Sequence, residues 1–210
     1  MNKKEIEREF LLKIFLENLK GNKINFRNSS MFLTPFRQKN KEIISMLIRK
    51  GFIKRTRDGI KLTCKGRRTI KVVLCGGTFD ILHPGHLLTL RKAKSLGDIL
   101  VVVVSRDKIA EKIRGRKPYN DENKRLELVS ALKIVDYALL GGENEKIYDM
   151  ILKIRPDVVV LGYDQVHKED EIKDFAAKNG LDVKVIRISE KLEGVKSSTL
   201  LKDPNITNQI

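Results

Sequence analysis

The chain of 210 residues contains no tryptophan and only two cysteines, five prolines and three histidines. Two cysteines, Cys64 and Cys75, are too few for a disulfide framework and too far apart for the paired spacing of a zinc site. The longest strongly apolar run, Ile99–Val104, is far too short to span a membrane. The first residues are charged and lack the apolar core of a signal peptide. We therefore expect a cytoplasmic protein with no membrane partner.

Acidic residues are scarce in the first third of the chain. Residues 1–70 contain 19 Lys and Arg against 6 Asp and Glu, which gives that segment 13 of the 16 excess positive charges. Residues 71–210 contain 24 basic and 21 acidic residues and are nearly balanced. Such an abrupt change in charge predicts two modules, a basic domain over residues 1–69 and a second domain over residues 70–210.

The second module alternates short apolar runs with helical patterns. Strands alternating with helices predict an α/β fold with a doubly wound parallel sheet, covered on both faces. The run Val101–Val104 is typical of a strand buried on both sides. The predicted strands are Val72–Cys75, Ile99–Val104, Val135–Leu140, Val158–Leu161 and Val183–Ile188. The predicted helices are Gly85–Leu96, Asp107–Ile113, Asp121–Leu132, Glu145–Ile154 and Glu169–Lys178.

The first module has a different pattern. Helical spacing of apolar residues predicts helices over Glu5–Leu19 and Glu42–Lys50, and Gly51 is typical of a helix C-cap. The segment "FIKRTRDGIKLT" predicts a hairpin around Asp58-Gly59. A helix, a glycine and a basic hairpin resemble the recognition helix and wing of a winged helix-turn-helix domain. The alternative is a basic docking or dimerisation domain, and we do not favour nucleic acid as a partner because a shared fold does not carry a shared function.

The segment "GGTFDILHPGH", residues 76–86, holds two of the three histidines. Gly76-Gly77 permits a tight turn after the first predicted strand, and Pro84 suits the first turn of a helix. His83 and His86 lie three residues apart, at a helix N-terminus whose free N–H groups attract anions. The pattern predicts a phosphate site. Capping of the helix by His83 is an alternative, and a metal site is disfavoured because no third ligand lies nearby.

The stretch "GTFDILHPGH" resembles the signature of the H-x-G-H nucleotidyltransferases, a cytidylyltransferase-like superfamily with a Rossmann-like fold, and the resemblance covers about residues 70–201. It implies that a phosphate monoester attacks the α-phosphorus of a nucleoside triphosphate and releases pyrophosphate. It also implies a divalent metal, Mg²⁺, carried by the triphosphate, and no metal ligand from the protein. His83 and His86 would be the catalytic residues. The nucleotide would be bound by Thr78, Phe79, His83, Pro84, Gly85 and His86.

Two further segments fit the same family, and a basic loop offers a site for the acceptor. The segment "EGVKSSTLL" resembles its last motif, in which Ser197, Ser198 and Thr199 would hold the β- and γ-phosphates. The segment "LGYDQ" follows the fourth predicted strand and places Asp164 where the family binds the nucleoside. In "RGRKPYN", the residues Arg114, Arg116 and Lys117 would receive the acceptor phosphate, although a solvated run of charges is the alternative.

The choice of nucleotide depends on departures from the family's patterns. Lys191 stands where cytidylyltransferases usually carry an arginine, and Lys196 interrupts their last motif, so CTP is disfavoured. The segments "GRKP", "SLGD" and "LGYDQ" most resemble archaeal FAD synthases, which transfer AMP from ATP to FMN, although Tyr163 replaces their usual proline. A CTP-dependent glycerol-phosphate or alcohol-phosphate cytidylyltransferase is the alternative. A nucleotide-sensing DNA-binding regulator is a third possibility, and a homodimer is compatible with any of them.

Overall fold

The protein is described by a computed structural model over residues 2–24, 37–143, 147–163, 165 and 167–190. The chain forms two compact units, Met1–Lys71 and Val72–Ile210. Within the described ranges no helix combines the length and the apolar character needed to cross a membrane.

The N-terminal unit combines helices with one hairpin. The predicted hairpin around Asp58-Gly59 is present, and Gly51 adopts the left-handed conformation, with φ of 71°, that suits a helix C-cap. A side chain at Gly59 would meet the Ile24 carbonyl oxygen at 2.3 Å, so this turn requires glycine. The winged-helix resemblance remains a prediction. The elements are α1 (Lys3–Leu19), α2 (Arg37–Arg49), β1 (Ile53–Thr56), β2 (Gly59–Leu62) and the short α3 (Cys64–Arg67), which the sequence pattern did not predict.

The core of this unit is apolar and is bordered by an ion pair. Ile14 of α1, Leu47 of α2 and Ile60 of the hairpin are almost completely buried. At the edge of this core, the Lys50 ammonium group binds the nearly buried Glu7 carboxylate at 2.6 Å. The unit therefore has its own hydrophobic core.

The second unit is an α/β fold with a five-stranded parallel sheet, which confirms the predicted fold class. Its strands are β3 (Val72–Gly77), β4 (Ile99–Val104), β5 (Tyr137–Leu140), β6 (Val158–Leu161) and β7 (Lys184–Arg187), in the order β5-β4-β3-β6-β7. Its helices are α4 (Pro84–Ser95), α5 (Asp107–Arg114), α6 (Glu122–Ser130), α7 (Ile147–Ile154) and α8 (Glu169–Lys178). The elements predicted for this unit agree with these bounds to within about two residues, whereas α2 of the first unit begins five residues before its predicted start at Glu42.

The strand order creates a crevice at the centre of the sheet. From β3 the chain continues outward to β4 and β5, and it then returns to place β6 on the other side of β3. Because crossovers between parallel strands are right-handed, the helices of the two halves lie on opposite faces. All six residues of β4 are buried, as expected for a strand covered on both sides. The carboxyl ends of β3 and β6 flank the point where the topology reverses, and ligands of such sheets bind there.

Candidate functional site

The turn after β3 is tight and contains a residue in an uncommon conformation. Phe79 has a φ of 53°, which non-glycine residues rarely adopt, and its side chain is buried. A Cβ atom at Gly77 would lie 2.9 Å from the Phe79 ring, so the ring can pack here only against glycine. The ring of Phe79, one of the residues predicted to bind the nucleotide, is therefore packed in the protein core.

His83 and His86 lie together at the start of α4, as the sequence pattern predicted. Their rings stack with centroids 3.9 Å apart, and the Phe79 ring lies 5.2 Å from that of His86. His83 is the N-cap residue, yet its side chain makes no capping hydrogen bond, so the capping alternative is not supported. The two imidazoles, with Pro84 and Gly85 between them in the chain, share the N-terminus of a twelve-residue helix.

His86 is a neutral imidazole at pH 7. Burial lowers its pKa to about 4, helped by the neighbouring His83 and Arg114 and opposed by the Asp80 carboxylate. Among the described residues, the buried Nδ1 atom of His86 has no hydrogen-bond partner. An anionic ligand would favour the protonated imidazole and would supply the partner that this atom lacks.

Asp80 joins the turn to the basic loop, a role that no local sequence pattern indicates. Its fully buried carboxylate accepts hydrogen bonds from the Tyr119 and Asn120 amides at 2.7 and 3.2 Å. Arg116 also donates to it at 3.2 Å, and the Arg114 guanidinium lies 3.7 Å away. The structure thus brings the predicted residues Arg114 and Arg116 to the Asp80 carboxylate, and the charges of Arg114 and Asp80 act on His86. Lys117 is exposed to solvent.

Arg125 is a second residue whose role no local sequence pattern indicates. Its guanidinium is fully buried and donates to three backbone carbonyl groups, those of Thr78 at 2.6 Å and of Ser105 and Asn120 at 2.9 Å. It also binds the Asp107 carboxylate at 2.6 Å. This one side chain therefore connects the turn after β3, the loop after β4 and the start of α6.

Thr78 contributes to the same arrangement through its hydroxyl group. The Ser105 hydroxyl donates to the Thr78 hydroxyl oxygen at 3.2 Å, and the Ser105 amide donates to the Gly77 carbonyl at 2.9 Å. These bonds fix the Thr78 side chain at the carboxyl end of β3.

The loop after β6 is held by Arg187, which lies at the end of β7. Its guanidinium donates to the carbonyl oxygens of Gly162, Gln165 and His167 at 3.0, 2.9 and 2.6 Å, and to the Glu169 carboxylate at 2.5 Å. Arg187 thus does for this loop what Arg125 does for the turn after β3. Each of the two arginines binds three carbonyl groups and one carboxylate.

Four predicted site residues lie outside the described residues: Asp164, Ser197, Ser198 and Thr199. Within the described part of the chain, no group of three or more His, Cys, Asp or Glu side chains is arranged to hold a metal ion.

The sequence of the chain matches a family of known proteins. Residues 74–203 match the family described as "Cytidylyltransferase-like". A curated relative from Methanothrix thermoacetophila, named FAD synthase, is 49% identical over 125 residues, which cover 60% of this chain and 85% of the relative. A second, from Aciduliprofundum boonei and of the same name, is 48% identical over 118 residues, which cover 56% of this chain and 78% of the relative.

A solved structure is similar to this chain in both sequence and fold. The lipopolysaccharide core biosynthesis protein from Thermoplasma volcanium GSS1 is 45% identical, with a TM-score of 0.55, and the match covers 59% of this chain and 99% of that one. The family match spans the turn, both histidines and the two loops held by Arg125 and Arg187. The chain therefore belongs to the cytidylyltransferase-like family.

Proposed function

We propose that this chain is a FAD synthase, a nucleotidyltransferase that transfers AMP from ATP to FMN and releases pyrophosphate. The observation that carries the proposal is the stacked pair of His83 and His86 at the N-terminus of α4, beside the switch point of the sheet. Six curated archaeal relatives with 43–49% identity are named FAD synthase. The relative of known structure has a different functional name, so the site itself must support the choice.

The chemistry requires positioning and charge stabilisation more than covalent help from the protein. An oxygen of the FMN phosphate attacks the α-phosphorus of ATP, the bond between the α-phosphorus and the bridging oxygen breaks, and pyrophosphate leaves with that oxygen. The attacking phosphate is already an anion, so no general base is needed. We assign His83 and His86 to donate hydrogen bonds to the phosphoryl oxygens as charge develops on them. Thr78, Phe79, Pro84 and Gly85 would line the nucleotide from the turn and the helix start.

We place the acceptor phosphate at the basic loop. Arg114 and Arg116 converge on Asp80, and the charges of Arg114 and Asp80 both act on His86. A guanidinium group suits a phosphate because its fork of N–H donors can bind two oxygens. Lys117 is exposed on the same loop and would add a third positive charge. Anchoring by Asp80 would orient this loop before FMN arrives.

We propose that a divalent ion, Mg²⁺, enters with the triphosphate. Mg²⁺ prefers oxygen ligands, keeps several of its own waters and is commonly held by substrate phosphates. Since the described residues offer no cluster of metal-ligating side chains, the phosphate oxygens would be its main ligands. We also assign Asp164 to the nucleoside, and Ser197, Ser198 and Thr199 to the β- and γ-phosphates, on the family resemblance alone. A cytoplasmic location would suit an enzyme that uses ATP and FMN.

For the N-terminal unit we propose a docking or regulatory role, on the enzyme unit or on a second copy of the chain. Lys54 and Lys61 stand directly opposite each other on the two strands of the hairpin, and such like charges repel. A polyanion would relieve this repulsion, so nucleic acid remains as an alternative partner, which we do not favour. Titration of the full chain with duplex DNA at two salt concentrations decides between them: sub-micromolar, strongly salt-dependent binding would support nucleic acid.

Pyrophosphate release tests the proposed activity. It should be rapid with ATP and FMN, and slow with CTP and glycerol 3-phosphate or with either nucleotide alone. Faster release with CTP and the alcohol phosphate would identify a cytidylyltransferase instead.

A further inference from the structure

Gln165 is anchored in the loop after β6 through three of its four polar groups. Its backbone amide donates to the Gly162 carbonyl at 3.3 Å, and its backbone carbonyl accepts from Arg187 at 2.9 Å. Its side-chain Nε2 donates to the carbonyl oxygen of Gly76, at the end of β3, at 2.5 Å. The Gly76 contact fixes the orientation of the amide, because a flipped amide would place two carbonyl oxygens against each other.

The fourth group, the side-chain oxygen Oε1, is buried, and none of the described residues offers it a hydrogen-bond donor. A buried acceptor without a partner costs about 1–3 kcal/mol, and such groups are uncommon in folded proteins. Rotation cannot relieve it, because Nε2 is bound to Gly76. The loop therefore holds an acceptor in a fixed direction without a partner from the described chain, which is the state expected of a group that binds a ligand.

The position of this acceptor indicates which part of the substrate it meets. Gly76 lies one residue before the turn Gly77–Phe79, and β6, which leads into the Gln165 loop, pairs with β3. Gln165 thus lies across the crevice at the carboxyl ends of β3 and β6, where such sheets bind nucleotides. The phosphates belong at the helix N-terminus with His83 and His86. The nucleoside is then the part of the nucleotide left to face the β6 loop.

We infer that Gln165 Oε1 accepts a hydrogen bond from the nucleoside of the bound nucleotide, either from the adenine amino group or from a ribose hydroxyl group. This inference rests on the proposed function. Arg187 acts as a positioning residue, because it binds three carbonyl groups of the loop and so sets the direction of the Gln165 amide. A nucleoside donor would satisfy the acceptor that the described residues leave buried and unpaired.

Nucleotide binding by the full chain, measured calorimetrically without any acceptor substrate, tests the inference. Gln165→Met removes the acceptor with little change of size, and we expect it to bind ATP about tenfold more weakly. Gln38→Met is the matched control, because Gln38 is exposed on α2 of the other unit and should leave ATP binding unchanged.

Three nucleotide analogues identify the donor: 2′-deoxy-ATP, 3′-deoxy-ATP and inosine triphosphate, which has a carbonyl in place of the amino group. The wild-type chain should bind one of them about tenfold more weakly than ATP, and Gln165→Met should lose that discrimination. Equal wild-type affinity for ATP and all three analogues overturns the inference, and so does undiminished discrimination in the variant. The first of these results requires no variant to fold.

The outcome is separable from that of the proposed function. Tight ATP binding with the expected analogue pattern, but without FAD formation from added FMN, would support the role of Gln165. The same result would refute FMN as the substrate that receives AMP. A chain that forms FAD but binds ATP and all three analogues equally well would support the proposed function and refute the role of Gln165. Absence of any nucleotide binding would refute both.

Discussion

The buried guanidinium of Arg125 donates to the carbonyl oxygen of Thr78 at 2.6 Å, across 47 residues of sequence. The same side chain binds two more loops and the Asp107 carboxylate. The turn that carries the candidate nucleotide contacts is therefore held from inside the protein by a fixed positive charge. Thr78 itself remains partly exposed, whereas Phe79 is buried.

Replacing Arg125 should destabilise the fold. Arg125→Met would remove the buried donor of three carbonyl groups and of the partly exposed Asp107 carboxylate, and each buried group left without a partner commonly costs about 1–3 kcal/mol. Urea unfolding monitored by circular dichroism measures the change. Arg91→Met, a substitution of an exposed arginine on α4, should alter the free energy of unfolding by less than about 0.5 kcal/mol. Equal stability of the two variants would contradict the role of Arg125.

The histidine pair should matter more for turnover than for binding. We expect His83→Ala and His86→Ala each to lower kcat by about 100- to 1,000-fold, the usual effect of removing a donor that stabilises developing charge. The affinity for ATP should fall much less, because the lost interaction is made mainly in the transition state. Steady-state kinetics and ATP calorimetry separate the two effects. Near-normal kcat in either variant would exclude the assigned role.

Acid should destabilise the protein through His86. Its pKa is lowered from the ordinary 6.5 to about 4 by burial, by His83 and by Arg114. Between those values the unfolded chain binds the proton more readily than the folded chain, so this contribution to stability is present above pH 6.5 and is lost as the pH falls toward 4. Unfolding at pH 7 and pH 5 measures the loss. His86→Gln should lose less stability than the wild type over that interval, and an equal loss would show that His86 does not cause it.

Binding of the acceptor substrate FMN should depend on the loop that Asp80 anchors. We expect Arg114→Met or Arg116→Met to raise the KM for FMN about tenfold or more, because each removes a charged hydrogen-bond donor from the phosphate. The KM for ATP should change little. Lys112→Met, at an exposed position on α5, is the control for lost charge alone. A change confined to the KM for ATP would place the acceptor elsewhere.

A fragment containing residues 69–210 should fold and keep its activity. The described contacts that build the site, from Asp80 to Arg187, all lie within Val72–Ile210. Thermal unfolding and FAD formation measure the outcome. A folded fragment without activity would show that the N-terminal unit contributes to the site or to a required dimer.

Local sequence patterns predicted most of the fold and one part of the site. The buried strand Ile99–Val104 and the two histidines around Pro84 depend on neighbours in sequence, so periodicity and helix-start signals were enough. The roles of Asp80, Arg125 and Gln165 depend on partners 39, 47 and 89 residues away. A buried arginine has the same sequence signature as a solvated one, and Arg125 lies on a helix with many charges. Only the three-dimensional contacts distinguish them.

Transfer of labelled phosphorus tests the central claim most directly. Wild-type protein supplied with FMN and ATP labelled at the α-phosphorus should yield labelled FAD, while ATP labelled at the γ-phosphorus should yield labelled pyrophosphate and unlabelled FAD. Label that never reaches the flavin, together with label passing from α-labelled CTP into a nucleotide-linked alcohol, would contradict the account.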